Sequence, residues 1–210
     1  MKFDPEAKRF LYVFLILALF SAMTTSTVGY ILCGFFFFMA IFSLYFFRDP
    51  ERKIPDDPRA IVAPADGIIV TLSTAEMPDL GRCHRIGIFM NIHDVHVNRS
   101  PIEATVKALD YREGDFKHAG TEQAFESNER MIIDLESDDL SIRVVQIAGM
   151  VARRIVCRLK ADQKLSRGER IGVIRFGSRV EVFIPEDKAE ISSKKGDRVV
   201  CGESVIAKRI

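Results

Sequence analysis

The sequence predicts a mainly β protein, a barrel-sandwich-like β domain behind an N-terminal transmembrane helical hairpin. Three observations carry that expectation. Residues 10–47 hold no charged side chain. The rest of the chain is charged and breaks into short runs of branched residues punctuated by Gly, Asp, Asn and Ser, as strands and turns do. The last such stretch, Lys195-Gly196-Asp197-Arg198-Val199-Val200-Cys201-Gly202-Glu203-Ser204-Val205-Ile206, is similar to the barrel-sandwich pattern of lipoyl and biotinyl carrier domains. Composition thus divides the chain into a membrane anchor, residues 1–48, and a β domain, residues 49–210.

The apolar stretch comes first. As one helix its 38 residues measure about 57 Å against a hydrocarbon core of roughly 30 Å. Two short spans fit better. Their natural break is Thr24-Thr25-Ser26-Thr27-Val28-Gly29, the only cluster of small polar residues and glycine in the segment. Lys2, Lys8 and Arg9 precede the stretch and Arg48, Arg52 and Lys53 follow it, so a hairpin with both ends in the cytoplasm satisfies the positive-inside tendency. A cleaved signal peptide has a far shorter apolar region. These features predict a cell-membrane protein with its β domain on the cytoplasmic side.

A proline-rich connector follows, with Pro50, Pro55, Pro58 and Pro64 favouring extended chain. Strands are expected within residues 61–72, 86–92, 131–135, 141–159, 172–184 and 198–210, and a helix over residues 120–130. The 30 Lys and Arg balance the 29 Asp and Glu, so no long-range field recruits nucleic acid. Cys33, Cys83, Cys157 and Cys201 have neither zinc-ligand spacing nor the density of a disulfide framework, which predicts free thiols in a reducing compartment.

Three clusters can carry chemistry. Ala63-Pro64-Ala65-Asp66-Gly67 sets a carboxylate beside a buried strand, although taken alone it reads more readily as a plain Asp-Gly turn. In Ile92-His93-Asp94-Val95-His96-Val97-Asn98-Arg99, strand alternation puts Asp94 and His96 on one face and His93 on the other. Two of the chain's four histidines fall within those residues. In Arg175-Phe176-Gly177-Ser178-Arg179 the glycine permits an unusual backbone geometry that presents its carbonyl to the next hydroxyl; a strand bulge or tight turn is the plainer alternative.

These clusters occur in one order with Phe46-Phe47-Arg48-Asp49-Pro50, Asn128-Glu129-Arg130 and Gly168-Glu169-Arg170-Ile171-Gly172. Together they resemble the short form of the phosphatidylserine decarboxylase family, from the second apolar span to about Pro185. The resemblance implies a proenzyme that cuts itself between Gly177 and Ser178 and turns Ser178 into a covalent pyruvoyl group. It implies a catalytic set of Ser178, His96 and Asp66, with Asp66 orienting His96 in triad fashion. The implied reaction is decarboxylation of a serine phospholipid to an ethanolamine lipid, with the pyruvoyl group as electron sink and His96 as proton donor. Implied partners are the phospholipid, the membrane and the two self-cleavage chains bound to each other; a homo-oligomer is left open.

Two departures from the family pattern stand out. Phe176 and Arg179 flank Gly177-Ser178 where longer members have Leu-Gly-Ser-Thr, and Arg99 stands where they tend to carry a second histidine. One histidine then serves both self-cleavage and turnover, or His93 helps. Arg99, His93 and Asn98 are the substrate-binding candidates, Arg99 for a carboxylate or phosphate, with a plain surface cation beside the membrane as the alternative. No resident metal is expected. The competing readings are a zinc hydrolase using His84, His93, His96, His118 and Asp94, and a tethered non-catalytic adaptor. The hairpin predicts that a reporter fused after Gly29 lies outside the cytoplasm while one fused after Ile210 lies inside; a cytoplasmic Gly29 fusion overturns it.

Overall fold

A computed structural model describes residues 2–117, 119, 125, 127–149, 154–175 and 177–210. The chain forms two compact units, Met1–Glu51 and Arg52–Ile210.

The first unit contains β1 (Lys2–Phe3), α1 (Glu6–Met23), α2 (Thr27–Phe46) and β2 (Arg48–Asp49). The helices pack on each other and meet at the break the sequence predicts. Thr24 and Thr25 end α1, with Thr25 at φ 48°, and Ser26 caps α2 by accepting from the Gly29 N–H at 3.1 Å. At the other end β1 pairs antiparallel with β2, Lys2 facing Asp49, and the Phe10 ring stacks 5.4 Å from Phe47. Both ends of the hairpin therefore emerge together. Among the described residues, α2 is the one helix long and apolar enough to cross a membrane by itself. The first turn of α1 carries Glu6, Lys8 and Arg9, which leaves residues 10–23, about 21 Å of apolar helix, short of a roughly 30 Å core. Of the two spans expected, one meets the requirement.

The second unit is a β structure made of β3 (Ala60–Val62), β4 (Gly67–Met77), β5 (Gly81–Met90), β6 (Val97–Arg99), β7 (Ala104–Arg112), β8 (Arg130–Glu136), β9 (Ser141–Ile147), β10 (Ile155–Cys157), β11 (Lys164–Leu165), β12 (Arg170–Ile174), β13 (Ser178–Pro185), β14 (Ala189–Ile191), β15 (Arg198–Val199) and β16 (Val205–Arg209). The large sheet has the order β11-β7-β8-β9-β13-β5-β4-β15; two three-stranded sheets, β10-β12-β6 and β14-β16-β3, complete it. One hydrophobic core collects Ile86, Ile88 and Met90 of β5, Val180, Val182 and Ile184 of β13, and side chains of both small sheets. Alternation explains the selection, because these are every second residue of their strands.

β13 is the longest strand buried on both faces. All eight of its residues are buried, and it pairs antiparallel with β5 on one side and β9 on the other. Its even-numbered residues face the main core. On its other face Phe183 packs with Cys83, Val145 and Ile147, and the Phe125 ring lies 5.9 Å from Phe183.

The expected strand over 61–72 is two strands in different sheets, because Pro64 and the turn before Gly67 interrupt it. Residues 141–159 likewise hold β9 and β10, and residues 198–210 hold β15 and β16. β7 was not expected: Lys107, Asp110 and Arg112 dilute its branched residues, and a bulge between Val106 and Ala108 breaks its alternation. The helix expected over 120–130 falls largely on residues outside those described.

All four cysteines are free thiols. Burial pushes the Cys83 thiol from its ordinary 9.0 up to about 11, and raises Cys201 and Cys157 as well. A group held protonated by the fold contributes stability below its unfolded pKa and loses it as pH rises. Denaturant midpoints should therefore fall between about pH 9 and 11, and Cys83→Ala should make the fall shallower. Identical pH profiles for the two proteins would contradict the burial argument.

Candidate functional site

The site gathers where four pieces of chain converge: the turn before β4, the loop from β5 into β6, the start of β13 and the turn after β15. Gly67 makes the first turn possible. Its φ is 147°, and a Cβ there would sit 2.1 Å from the Phe89 carbonyl oxygen, so only glycine lets this turn close onto β5. The closure sets Asp66 in a ring of donors. Its carboxylate accepts from Arg52 Nη2 at 3.0 and 2.9 Å, from the Cys201 N–H at 2.7 Å and from the Val95 N–H at 3.4 Å. The Arg52 and Asp66 side chains are only 8% and 15% exposed. Asp66 is thus more than an Asp-Gly turn residue, since it ties the connector, the histidine loop and the C-terminal turn together.

The histidine loop is not the strand that alternation suggested. Residues 91–96 form a turn and extended loop ahead of β6. The Asp94 N–H donates to the Asn91 carbonyl at 2.9 Å, and the Asn91 N–H donates to Asp94 Oδ2 at 2.8 Å. This self-capped turn leaves His93 exposed and buries Asp94 and His96. Asp94 also pairs with Arg198. His96 Nδ1 lies 3.0 Å from the Asp94 carbonyl oxygen. A carbonyl can only accept, so Nδ1 carries the proton and the lone pair of the neutral ring sits on Nε2. The described hydrogen bond that orients the ring is thus to Asp94, while Asp66 reaches this loop through the Val95 N–H. The His96 carbonyl accepts from Ile174 N at 3.4 Å, which ties the loop to the chain just ahead of Gly177.

Gly177 has φ 63° and open space where a Cβ would stand. Its left-handed backbone turns the chain into β13, and Ser178 enters on the core side of the sheet opposite Met90. Ser178 is fully buried, and its Oγ has no hydrogen-bond partner among the described residues. Asn98 lies against the same spot: its amide donates to Met90 Sδ at 3.5 Å and accepts from Gln146 Nε2 at 2.8 Å. Ser178, Asn98 and His96 are each 0% exposed.

Arg99 is buried and donates to the Gly168 carbonyl at 2.9 Å, which rules out a plain surface cation. Arg52, expected as a flanking charge for the membrane, is instead spent on Asp66. Arg52, Gln146 and Arg198 were not legible as site residues, because each bonds to a residue far away in sequence. The Cys201 thiol sits beside Asp66, and burial first, then that carboxylate, pushes it far above its ordinary range. Asn128 ties two loops together by bonding the Lys117 backbone and the Ala148 carbonyl. The described histidines of the zinc reading do not converge, since His84 stands on β5 near Glu186 and His93 is exposed; His118 lies outside the described residues. Among the described residues no three His, Cys, Asp or Glu are grouped to hold a metal. A cleft of about 1130 Å³ around Ile54, Ala104, Lys164 and Arg167 includes none of Asp66, His96 and Ser178.

The arrangement defines a class: a β scaffold that buries a serine directly after a left-handed glycine and carries a buried histidine in the loop ahead of β6. Comparison with known proteins narrows it. The phosphatidylserine decarboxylase family profile matches residues 39–207. Proteins named phosphatidylserine decarboxylase proenzyme are similar over nearly all of their length. That of Desulfotalea psychrophila is 44% identical over 183 residues, 86% of this chain and 85% of its own. That of Pelobacter propionicus is 39% identical over 206 residues, 97% and 93%; that of Ruegeria pomeroyi is 40% identical over 209 residues, 97% and 93%. This chain belongs to the phosphatidylserine decarboxylase family.

Removing one partner of a largely buried ion pair strands the other charge. Arg52→Ala should cost about 3 kcal/mol in a denaturant titration, whereas Lys53→Ala at the exposed neighbour should change stability by less than about 0.5 kcal/mol. Equal effects would mean that the Arg52–Asp66 pair does not hold the turn.

Proposed function

We propose that this chain is a proenzyme that cuts itself between Gly177 and Ser178 and then decarboxylates phosphatidylserine to phosphatidylethanolamine. The observation that carries the reading is the pairing of Gly177 at φ 63° with a fully buried Ser178 whose Oγ has no partner among the described residues. A buried hydroxyl without a hydrogen bond is costly to keep, and its position next to a left-handed glycine suits attack on the preceding carbonyl. Family membership supports the substrate and the reaction.

In this reading His96 Nε2 takes the Ser178 hydroxyl proton. The Oγ–carbonyl bond to Gly177 forms, the Gly177–Ser178 amide bond breaks and the released nitrogen is protonated. Loss of the α-proton of residue 178 then breaks its Cβ–O bond and frees Gly177 as a carboxylate. Water enters and ammonia leaves, so that residues 178–210 begin with a pyruvoyl group. That group fits a position at the buried start of a strand with its side chain on the core side, and it supplies an electron sink for loss of carbon dioxide from a serine headgroup. His96 returns a proton to the headgroup carbon. Asp66 holds the loop through the Val95 N–H and the Asp94 carbonyl fixes the tautomer. Asn98, and His93 at the exposed turn, remain the residues proposed to meet the headgroup. For Arg99 the bond to Gly168 favours a structural role.

Cleavage need not separate the pieces. β13 lies between β5 and β9, the Cys201 N–H bonds Asp66, and β16 pairs with β3. The apolar length of α2 and the shared exit of both hairpin ends support a membrane tether with the β unit on the cytoplasmic side. Intact-mass spectrometry tests the proposal. Wild type should give chains 1–177 and 178–210, the second beginning with a carbonyl in place of its amine, and Ser178→Ala should stay whole. A folded wild type that remains one chain refutes it.

A further inference from the structure

Immediately beyond Ser178, on the opposite face of the sheet, lies a buried charge cluster that the chemistry above does not use. Arg179 and Glu181 are both 0% exposed. Glu181 accepts a two-pronged bond from Arg85, Nε to Oε2 and Nη2 to Oε1, each 2.8 Å, and also pairs with Arg179. Arg179 Nη2 donates to Thr71 Oγ1 at 2.8 Å. The Arg85 guanidinium lies 4.3 Å from the centre of the Phe125 ring. Three strands are bound by this cluster, since Thr71, Gly87 and Glu181 are register partners across β4, β5 and β13.

Gly87 makes the room. A Cβ at that position would lie 2.8 Å from Arg179 Nη2 and 3.0 Å from its Nε. A glycine in the interior of a strand weakens it unless something needs the space; here the Arg179 guanidinium fills it.

The ladder gives the cluster its meaning. Ser178 is paired with β5 alone, at Met90, whereas Arg179 is the first residue paired on both sides, at Phe89 and Ile147. Thr71, Arg85 and Gly87 belong to residues 1–177, and Arg179 and Glu181 to residues 178–210. Before a cut between Gly177 and Ser178, the covalent chain holds Ser178 in place. After it, residue 178 is a new chain end, held by its neighbour.

We propose that Arg179, clamped by Thr71 and Glu181 in the space left by Gly87, is a positioning residue that fixes the new chain end after self-cleavage, so that residue 178 stays registered for turnover. The inference rests on the reading of Ser178 given above. It distinguishes two steps that share one site: self-cleavage happens in a continuous chain and depends little on the clamp, whereas decarboxylation happens on a free end and depends on it strongly. A misplacement of about 1 Å at a reacting group can cost on the order of 100-fold in rate.

The experiment uses full-length protein in detergent micelles containing phosphatidylserine, with wild type, Arg179→Met, Arg179→Lys, Thr71→Val and Gly87→Ala. Cleavage is followed by intact mass, and kcat and KM are measured on the fully cleaved protein. All variants should complete cleavage. Arg179→Met should lose roughly 10–100-fold in kcat with KM little changed, Thr71→Val and Gly87→Ala should lose less, and Arg179→Lys should recover part of the loss. Thr71→Val removes a single hydrogen bond and keeps the test open should Arg179→Met fail to fold. Wild-type kcat in cleaved Arg179→Met or, in that event, in cleaved Thr71→Val overturns the inference. So does a parallel fall of cleavage and turnover, which marks a merely structural role. A wild type that stays whole sinks the reading of Ser178 itself, an outcome distinct from either.

Discussion

The double burial of β13 is the constraint on which the β unit depends. A strand hydrogen-bonded on both edges and covered on both faces can present neither a loose end nor a stray polar group without cost. Its even-numbered residues meet that demand with Val180, Val182 and Ile184 in the main core. Its odd-numbered residues meet it with Phe183 and with a charge cluster in which Glu181 pairs with both Arg85 and Arg179. Ser178 stands at the first position of this strand, a buried hydroxyl with no hydrogen-bond partner among the described residues.

Asp66 is the second hinge of the arrangement. It receives Arg52 from the connector, Val95 from the histidine loop and Cys201 from the C-terminal turn. Its role is more architectural than the triad analogy implies. The described contact that orients the imidazole is the Asp94 carbonyl, and the carboxylate acts on the loop as a whole. Asp66 and the Arg179 cluster share a logic, since each ties residues before position 177 to residues after 178. Such contacts allow a chain to be cut inside its own core and remain one body.

Much of the candidate site was legible in the sequence because its residues fall in short local motifs. Gly177 and Ser178 are neighbours, the turn at Asp66-Gly67 is written in adjacent residues, and His96 sits in a short motif. What failed was local geometry that depends on distant atoms. Alternation placed Asp94 and His96 on a strand, but Asp94 caps its own turn and bends the chain out of extended form. Arg52 and Arg99 looked like free cations at a membrane flank, and both are buried on partners more than ten residues away.

The sequence by itself determined the division into an apolar hairpin and a β unit, the break near Thr25, the mainly β character and the family. All of these follow from composition, period and ordered short motifs. It could not decide which strands share a sheet, because hydrogen-bond partners such as Ser178 and Met90 are set by register between segments far apart in the chain. Nor could it decide that α2 has the length and apolarity to span and α1 does not, since that rests on where the first helix begins. The burial of β13 on both faces, and with it the clamp around Arg179, exists only once four strands lie side by side; no single segment encodes it.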